Sequence, residues 1–108
     1  MTQQQQLSDQ ALFSALLFSL HAAAMQQLGK IINPLTNEVE RDLEQAKATI
    51  EMLEMLRRKT QGNLDESETK LIGRLLYELQ MNYVDEVAKD QKPGTGDGAQ
   101  GKTVTGGT

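Results

Sequence analysis

The residue pattern with the clearest chemical meaning lies near the end of the chain, from Gly96 to Thr103. These residues, GDGAQGKT, match the phosphate-binding pattern G-x-x-x-x-G-K-[ST] at every position. Such a loop binds phosphate because a strand leads into it and the N-terminus of a following helix directs amides at the ligand. The residues Val104 to Thr108 are too few and too rich in glycine for that helix. We therefore interpret the match as fortuitous and predict no nucleotide or other cofactor.

Histidine chemistry has a single candidate, because His21 is the only histidine and the chain has no cysteine. One imidazole cannot build a multi-histidine metal site within the chain. His21 could be a polar contact at a subunit interface, a proton-sensitive group, or a hydrogen-bonded histidine at the edge of a core. Paired carboxylates such as Glu51 and Glu54 fall on polar helix faces, where nothing predicts a raised pKa. We predict that the protein is not an enzyme and has no metal site.

Composition narrows the class of protein further. Of 108 residues, 11 are Lys or Arg and 15 are Asp or Glu, which gives a net charge of −4. This balance argues against a general affinity for nucleic acid or anionic membranes. The absence of cysteine suits a reducing compartment, so we expect a cytoplasmic protein. The length allows one small domain.

Hydrophobic spacing divides the chain into three amphipathic segments and gives no sign of a strand. The first segment ends at Gly29, a residue type that adopts the left-handed backbone common at helix C-termini. Asn37 suits the N-cap of the second helix, and Asp65 with Glu68 resembles a capping box before the third. The predicted helices cover about residues 9–28, 38–60 and 66–88.

These elements predict an all-α fold, a three-helix antiparallel hairpin or bundle formed by residues 8–89 and completed by self-association. Residues 1–7 are expected to be a low-complexity extension. The glycine-rich residues 90–108 are expected to be a disordered tail because they have few apolar side chains to bury. Within the third helix, Gly73 indicates a close backbone approach. The second helix is expected to pack through the seam Val39, Leu43, Ala46, Ile50 and Leu53.

The first helix has more apolar surface than two neighbouring helices can cover. Besides a broad apolar face it carries a second stripe made of small residues, Ala11, Ala15, Ser19 and Ala22. On the second helix, Met52 and Met55 lie away from the seam and could form an adaptable docking surface. We predict that these six residues form an interaction surface for a second copy and for an unidentified protein partner.

Two functions remain open. The first is a non-enzymatic interaction module that acts through self-association and partner docking. The alternative is a peripheral membrane protein anchored by its first helix, which is uncharged from Gln10 to Gly29. The strongly apolar part, Ala11 to Met25, is shorter than the roughly 20 residues that cross a bilayer, and it lacks a basic polar face.

Several blocks along the chain together carry a family resemblance. They are Phe13 to Gly29 (FSALLFSLHAAAMQQLG), Asn33-Pro34, Asp42-Leu43 with Ala46 and Ile50, Lys59 to Leu64 (KTQGNL), and Glu68. In combination, from Leu12 to about Val84, the chain resembles the bacterial family named domain of unknown function 1844. We expect glycine in that family where this chain has Asn37, which also tolerates a left-handed backbone or can cap a helix.

The resemblance implies a small, helical, cytoplasmic bacterial protein with no established activity, so no catalytic residues can be assigned from it. The block from Lys59 to Leu64 is its most distinctive loop, and loops held by rigid helices commonly carry binding residues. A helix end followed by a new N-cap explains the same block in structural terms.

Overall fold

Three α-helices form the part of the chain that the structure, a computed structural model, describes, which is residues 7–91. The described residues contain no strand, only an isolated bridge between Asn33 and Glu38. The predicted all-α class is therefore confirmed. In chain order the helices are α1 (Asp9–Gln27), α2 (Leu43–Lys59) and α3 (Glu66–Gln91).

The helices run up, down and up. Two side chains of α1, and Lys30 shortly after it, contact α3. The residue numbers of the pairs rise together: Gln10–Ser67, His21–Glu78 and Lys30–Asp85. Helices α1 and α3 are therefore parallel. Helix α2 runs the opposite way, because Glu54 in its second half accepts a hydrogen bond from Gln80, whereas Arg41 before its start contacts Asp90.

A single core lies where the three helices meet. All three helices contribute side chains that are almost fully buried, and Leu17, Leu53 and Leu79 have no exposed surface. The predicted seam of α2 is correct from Leu43 onward, since Ala46, Ile50 and Leu53 are buried and the partly buried Leu43 packs against the core. The full set of buried apolar residues is Leu17, Ala24, Leu28, Ala46, Ile50, Leu53, Ile72, Leu75, Leu76 and Leu79.

The second helix begins five residues later than predicted. Asn37 is not its N-cap; it has a φ of 60° and lies in a turn, which is the left-handed alternative that asparagine tolerates. Asp42 caps α2 instead, since its side chain accepts a hydrogen bond from the Gln45 amide. Val39 therefore lies outside the helix and is exposed rather than part of the seam.

Asn33 explains this late start. Its side-chain oxygen accepts a hydrogen bond from the Leu35 amide at 2.9 Å, and its amide group donates to the Glu40 carboxylate at 2.9 Å. The Asn33 main chain bonds to Glu38 and Asn37. Because these local bonds satisfy polar groups that a helix would otherwise use, residues 33–40 form a braced turn.

Two further expectations need correction. A Cβ atom added to Gly73 would meet nothing within 4 Å, so the predicted close backbone approach at this glycine is wrong. Helix α3 continues to Gln91, so the first two residues of the predicted tail are helical, and Asp90 is held by Arg41 at 2.9 Å. Residues 1–6, the rest of the tail and the match at 96–103 lie outside the described residues.

Candidate interaction surface

Helix α1 turns an uncharged face away from the rest of the domain. Its apolar residues surround the whole helix, so packing against α2 and α3 covers only one side. Three large side chains are left about half exposed: Leu12 (51%), Leu16 (45%) and Phe18 (48%). Leu17 of the same helix is buried in the core. We call the exposed side of the helix the outward face of α1.

The predicted stripe of small residues lies on this face. Ala11, Ala15 and Ser19 are exposed, and Ala22 is half-buried. At about 100° per residue they run between an edge formed by Leu12 and Leu16 and an edge formed by Phe18. The outward face therefore has small side chains along its centre and larger side chains at its edges. This shape allows another helix to approach closely.

The two methionines of the predicted surface do not occupy equivalent places. Both are exposed. Met52 follows Gln45 by seven residues and Thr49 by three, and both of those residues contact Gln27 of α1. Met52 therefore lies on the edge of α2 that borders α1. Met55 is turned about 60° further from that border, so it extends the surface only at its margin.

A shallow groove of about 400 Å³ adjoins the N-terminal half of the outward face. Leu12 and Leu16 line it from α1, and Thr60, Asn63 and Leu64 line it from the turn between α2 and α3. The distinctive block from Lys59 to Leu64 thus contributes to a surface that includes α1. Gly62 within it has a φ of 88° and ends the helix, as the structural interpretation expects.

A second groove, of about 570 Å³, adjoins the C-terminal half of the outward face. Ser19, Ala22 and Gln26 line it from α1, and Glu40 and Asp42 line it from the residues before α2. Hydrogen bonds from Asn33 and Thr36 lower the pKa of the Glu40 carboxyl, so this side chain carries a negative charge at neutral pH. Acidic side chains therefore border this end of the surface, and Asp9 and Glu68 line the groove at its other end.

The sequence analysis missed an exposed apolar loop between α1 and α2. Leu35 is 92% exposed at its tip, and Ile31, Ile32 and Val39 are also exposed. The hydrogen bonds of Asn33 hold this loop in shape. The signal available in the sequence was the run of apolar residues around Asn33-Pro34.

A buried carboxylate fixes the loop to α3. Glu86 is 5% exposed, and its oxygens lie 2.7 Å from Lys30 Nζ, 2.9 Å from Arg41 Nε and 2.9 Å from Lys89 Nζ. Hydrogen bonds from Lys30, Lys89 and Arg41 lower the pKa of Glu86 to about 2. In return, the carboxylates of Glu86 and Asp85 raise the pKa of Lys30. This cluster was not predicted, because Lys30 and Arg41 are more than 40 residues away from Glu86 in the chain.

His21 does not lie on the outward face. Its Nε2 atom is 3.2 Å from Oε1 of Glu78, and the side chain is 20% exposed. It thus belongs to the border between α1 and α3, where the hydrogen-bonded interpretation fits its position. Residues 7–91 include no group of three or more histidine or carboxylate side chains that could hold a metal ion.

None of the helices between residues 7 and 91 combines the length and the hydropathy that a membrane crossing requires.

Comparison with known proteins gives one match. The family model described as Domain of unknown function (DUF1844) matches residues 10–85, well over half of the 108-residue chain. No curated protein and no solved structure matches. The matched span contains all of α2, nearly all of α1 and most of α3, and with them both grooves that adjoin the outward face. The chain therefore belongs to the family described as Domain of unknown function (DUF1844).

Proposed function

We propose that this protein is a non-enzymatic interaction module that associates with itself through the outward face of α1. One observation carries the proposal: this face has no charged residue between Gln10 and Gly29, yet it leaves Leu12, Leu16 and Phe18 half exposed. Water contact with such a surface is unfavourable, and contiguous exposed apolar patches commonly mark interaction sites. A second copy would cover it with the same kind of surface.

The surface proposed for the contact comprises the residues identified from the sequence. Ala11, Ala15, Ser19 and Ala22 let a partner helix approach, and Met52 with Met55 extends the contact onto α2, where methionine adapts to irregular neighbours. Docking of a different protein is assigned to the loop tip around Leu35, which lies beyond the C-terminus of α1. The cytoplasmic assignment is part of the same proposal.

Light scattering and sedimentation of the full chain over a range of micromolar concentrations test self-association. We expect a reversible oligomer whose population grows with concentration. Ala15→Arg places a charge at the centre of the outward face, so it should shift the protein to monomer. Its unfolding temperature should stay close to that of the wild type at dilutions where the wild type is monomeric. Ala88→Arg is the matched control, because Ala88 is an exposed helical alanine on α3. A wild-type protein that stays monomeric throughout would contradict the proposal.

Peripheral membrane anchoring through α1 is the alternative function, and it stays a prediction. The outward face offers apolar side chains to a bilayer but no Lys or Arg for its headgroups. Flotation with neutral and anionic vesicles distinguishes the two functions: recovery of the full chain with the vesicles would favour the anchor, and recovery in the aqueous fraction would remove it.

A further inference from the structure

We infer that two copies of this chain pair through α1 in antiparallel orientation, with their α2 helices on the same side of the contact. This inference rests on the proposed self-association and adds the geometry of the pair. The partner is a second copy, and the observation that selects the orientation is the charge at the two ends of the outward face.

The C-terminal end of the outward face is bordered by acidic groups. Glu40 and Asp42 line the groove that also contains Ser19, Ala22 and Gln26. Lys30 and Arg41 lie at the same end, but both are already bound to carboxylates of α3. The α3 end next to them adds the partly exposed carboxylates Asp85 and Asp90. This end of the molecule therefore has an excess of negative charge.

The N-terminal end has charges of both signs. Lys59 is the basic group next to α1, whereas Arg57 and Arg58 line a groove toward α3 with Thr69 and Ile72. Arg57, Arg58 and Lys59 end α2, and none of them forms an ion pair with another residue of the described range 7–91. Lys59 follows Met52 by seven residues, so it lies on the edge of α2 that borders α1.

Acidic groups occur at the N-terminal end as well. Asp9 and Glu66 lie in the first turns of α1 and α3, where the helix dipole offsets their charge, and Glu66 also pairs with Lys70. Asp65 and Glu68 accept the hydrogen bonds that cap α3. Asp9 and Glu68 nevertheless line the groove that contains Leu12 and Leu16. The basic residues of the α2 C-terminus offset these carboxylates, so this end lacks the excess of negative charge found at the other end.

A two-fold symmetric pair that uses the outward face can adopt one of two arrangements. A two-fold axis parallel to α1 would place like ends together and set α2 opposite α3 of the second copy. Glu40 and Asp42 would then approach the end of α3 that carries Asp85 and Asp90, and like charges would repel. An axis perpendicular to α1 makes the helices antiparallel and keeps both α2 helices on one side.

In the antiparallel pair the acidic end of each copy faces the end of the other that carries Lys59 and has no excess of negative charge. Lys59 of one copy then approaches the groove lined by Glu40 and Asp42 of the other, and the symmetry repeats this contact. The uncharged outward faces of α1 meet between the two contacts. Exposed charge pairs of this kind set orientation more than affinity, and the apolar face supplies most of the binding.

Cross-linking of single-cysteine variants tests the orientation, because the natural chain has no cysteine. Ala11→Cys and Gln26→Cys lie near opposite ends of the outward face, about 22 Å apart along α1. With a short thiol cross-linker, an equal mixture of the two variants should yield mainly the mixed product, identified by tagging one variant. Each variant alone should cross-link poorly. Efficient cross-linking of each variant with itself would overturn the antiparallel orientation while leaving self-association intact.

A charge reversal gives an independent readout. Lys59→Glu should raise the dissociation constant of the pair several-fold, because it places a carboxylate against Glu40 and Asp42 of the second copy. Lys47→Glu is the matched control, since Lys47 is exposed on α2 but lines a groove toward α3 with Gln80 and Tyr83. Equal effects of the two reversals would contradict the inference, and a wild-type monomer in the same measurement would contradict the proposed self-association itself.

Discussion

Arg41 binds Glu86 twice. Its Nε atom donates to Oε1 of the Glu86 carboxylate and its Nη2 atom donates to the Glu86 main-chain oxygen, each at 2.9 Å. The aliphatic part of the same side chain lies along Gly29, where an added Cβ would be 3.2 Å from Arg41 carbons. One arginine therefore joins the end of α1, the loop before α2 and the C-terminal part of α3, and it sets the shape of the acidic end of the molecule.

Replacing Glu86 by Gln should lower the free energy of unfolding at neutral pH by about 1 to 3 kcal/mol, since the amide leaves Lys30, Arg41 and Lys89 without their shared anion. Urea denaturation measures the change. Glu51→Gln is the control, because Glu51 is exposed and forms no ion pair with any residue from 7 to 91. Equal stability of the Glu86→Gln variant and the wild type would contradict the role given to this carboxylate.

The pH dependence of stability follows from the same residue. The pKa of Glu86 is about 2 in the folded protein against an ordinary value of 4.5. Between these values the unfolded chain binds the extra proton, so stability is fully present above about pH 4.5 and declines as the pH falls toward 2. Denaturation curves across this range should show a smaller decline for Glu86→Gln, and the two proteins should converge at the acidic limit. Parallel declines would exclude Glu86 as the source.

Gly29→Ala and Gly62→Ala separate backbone strain from packing. Both glycines have positive φ, 80° and 88°, so alanine is strained at either site and should cost about 1 kcal/mol. Only at Gly29 would the new methyl group press on Arg41. We expect Gly29→Ala to be the more destabilising of the two in thermal unfolding. A larger loss at Gly62 would show that the Arg41 contact adapts without cost.

Gly73→Ala should stabilise the protein by up to about 1 kcal/mol. This glycine is inside α3, its added Cβ meets nothing within 4 Å, and alanine has the higher helix propensity. A rise in the unfolding temperature is the expected result. A fall would indicate a contact at this position that the single chain does not contain.

Leu75→Ala should lower the free energy of unfolding by about 2 to 5 kcal/mol, because Leu75 is only 3% exposed and truncation leaves a cavity. Leu12→Ala removes the same atoms from a half-exposed site, so it should cost much less in dilute monomer. Chemical denaturation at low and high protein concentration compares them. At high concentration the Leu12 variant should fall further behind the wild type, since it also weakens the proposed contact.

Hydrophobic periodicity and capping residues predict most of the fold from the amino-acid sequence. The spacing of leucines along α3 and the small, uncharged sequence of α1 predicted an all-α protein, because helices bury one stripe every 3.6 residues. The excess of apolar surface on α1 was also predicted, since the residues between Gln10 and Gly29 include no Asp, Glu, Lys or Arg. The residues of the candidate surface on α1 were predicted from this excess of apolar surface.

The start of α2 was predicted wrongly from the sequence pattern. Asn37 was predicted to cap the helix, but it adopts the left-handed backbone that asparagine also tolerates. The outcome depends on hydrogen bonds from Asn33 to Leu35 and Glu40 and on the capping by Asp42. These bonds compete with helix formation only when the loop is closed between two packed helices.

The class of fold, the number of helices and the excess of apolar surface on α1 follow from the amino-acid sequence. The distribution of charge around that surface depends on how the helices pack. Lys30 and Arg41 are as basic in the sequence as Arg57 and Lys59, yet burial of Glu86 by long-range packing neutralises the first two and leaves the others free among residues 7–91. Local patterns cannot encode that difference, because it arises from a carboxylate more than 40 residues away.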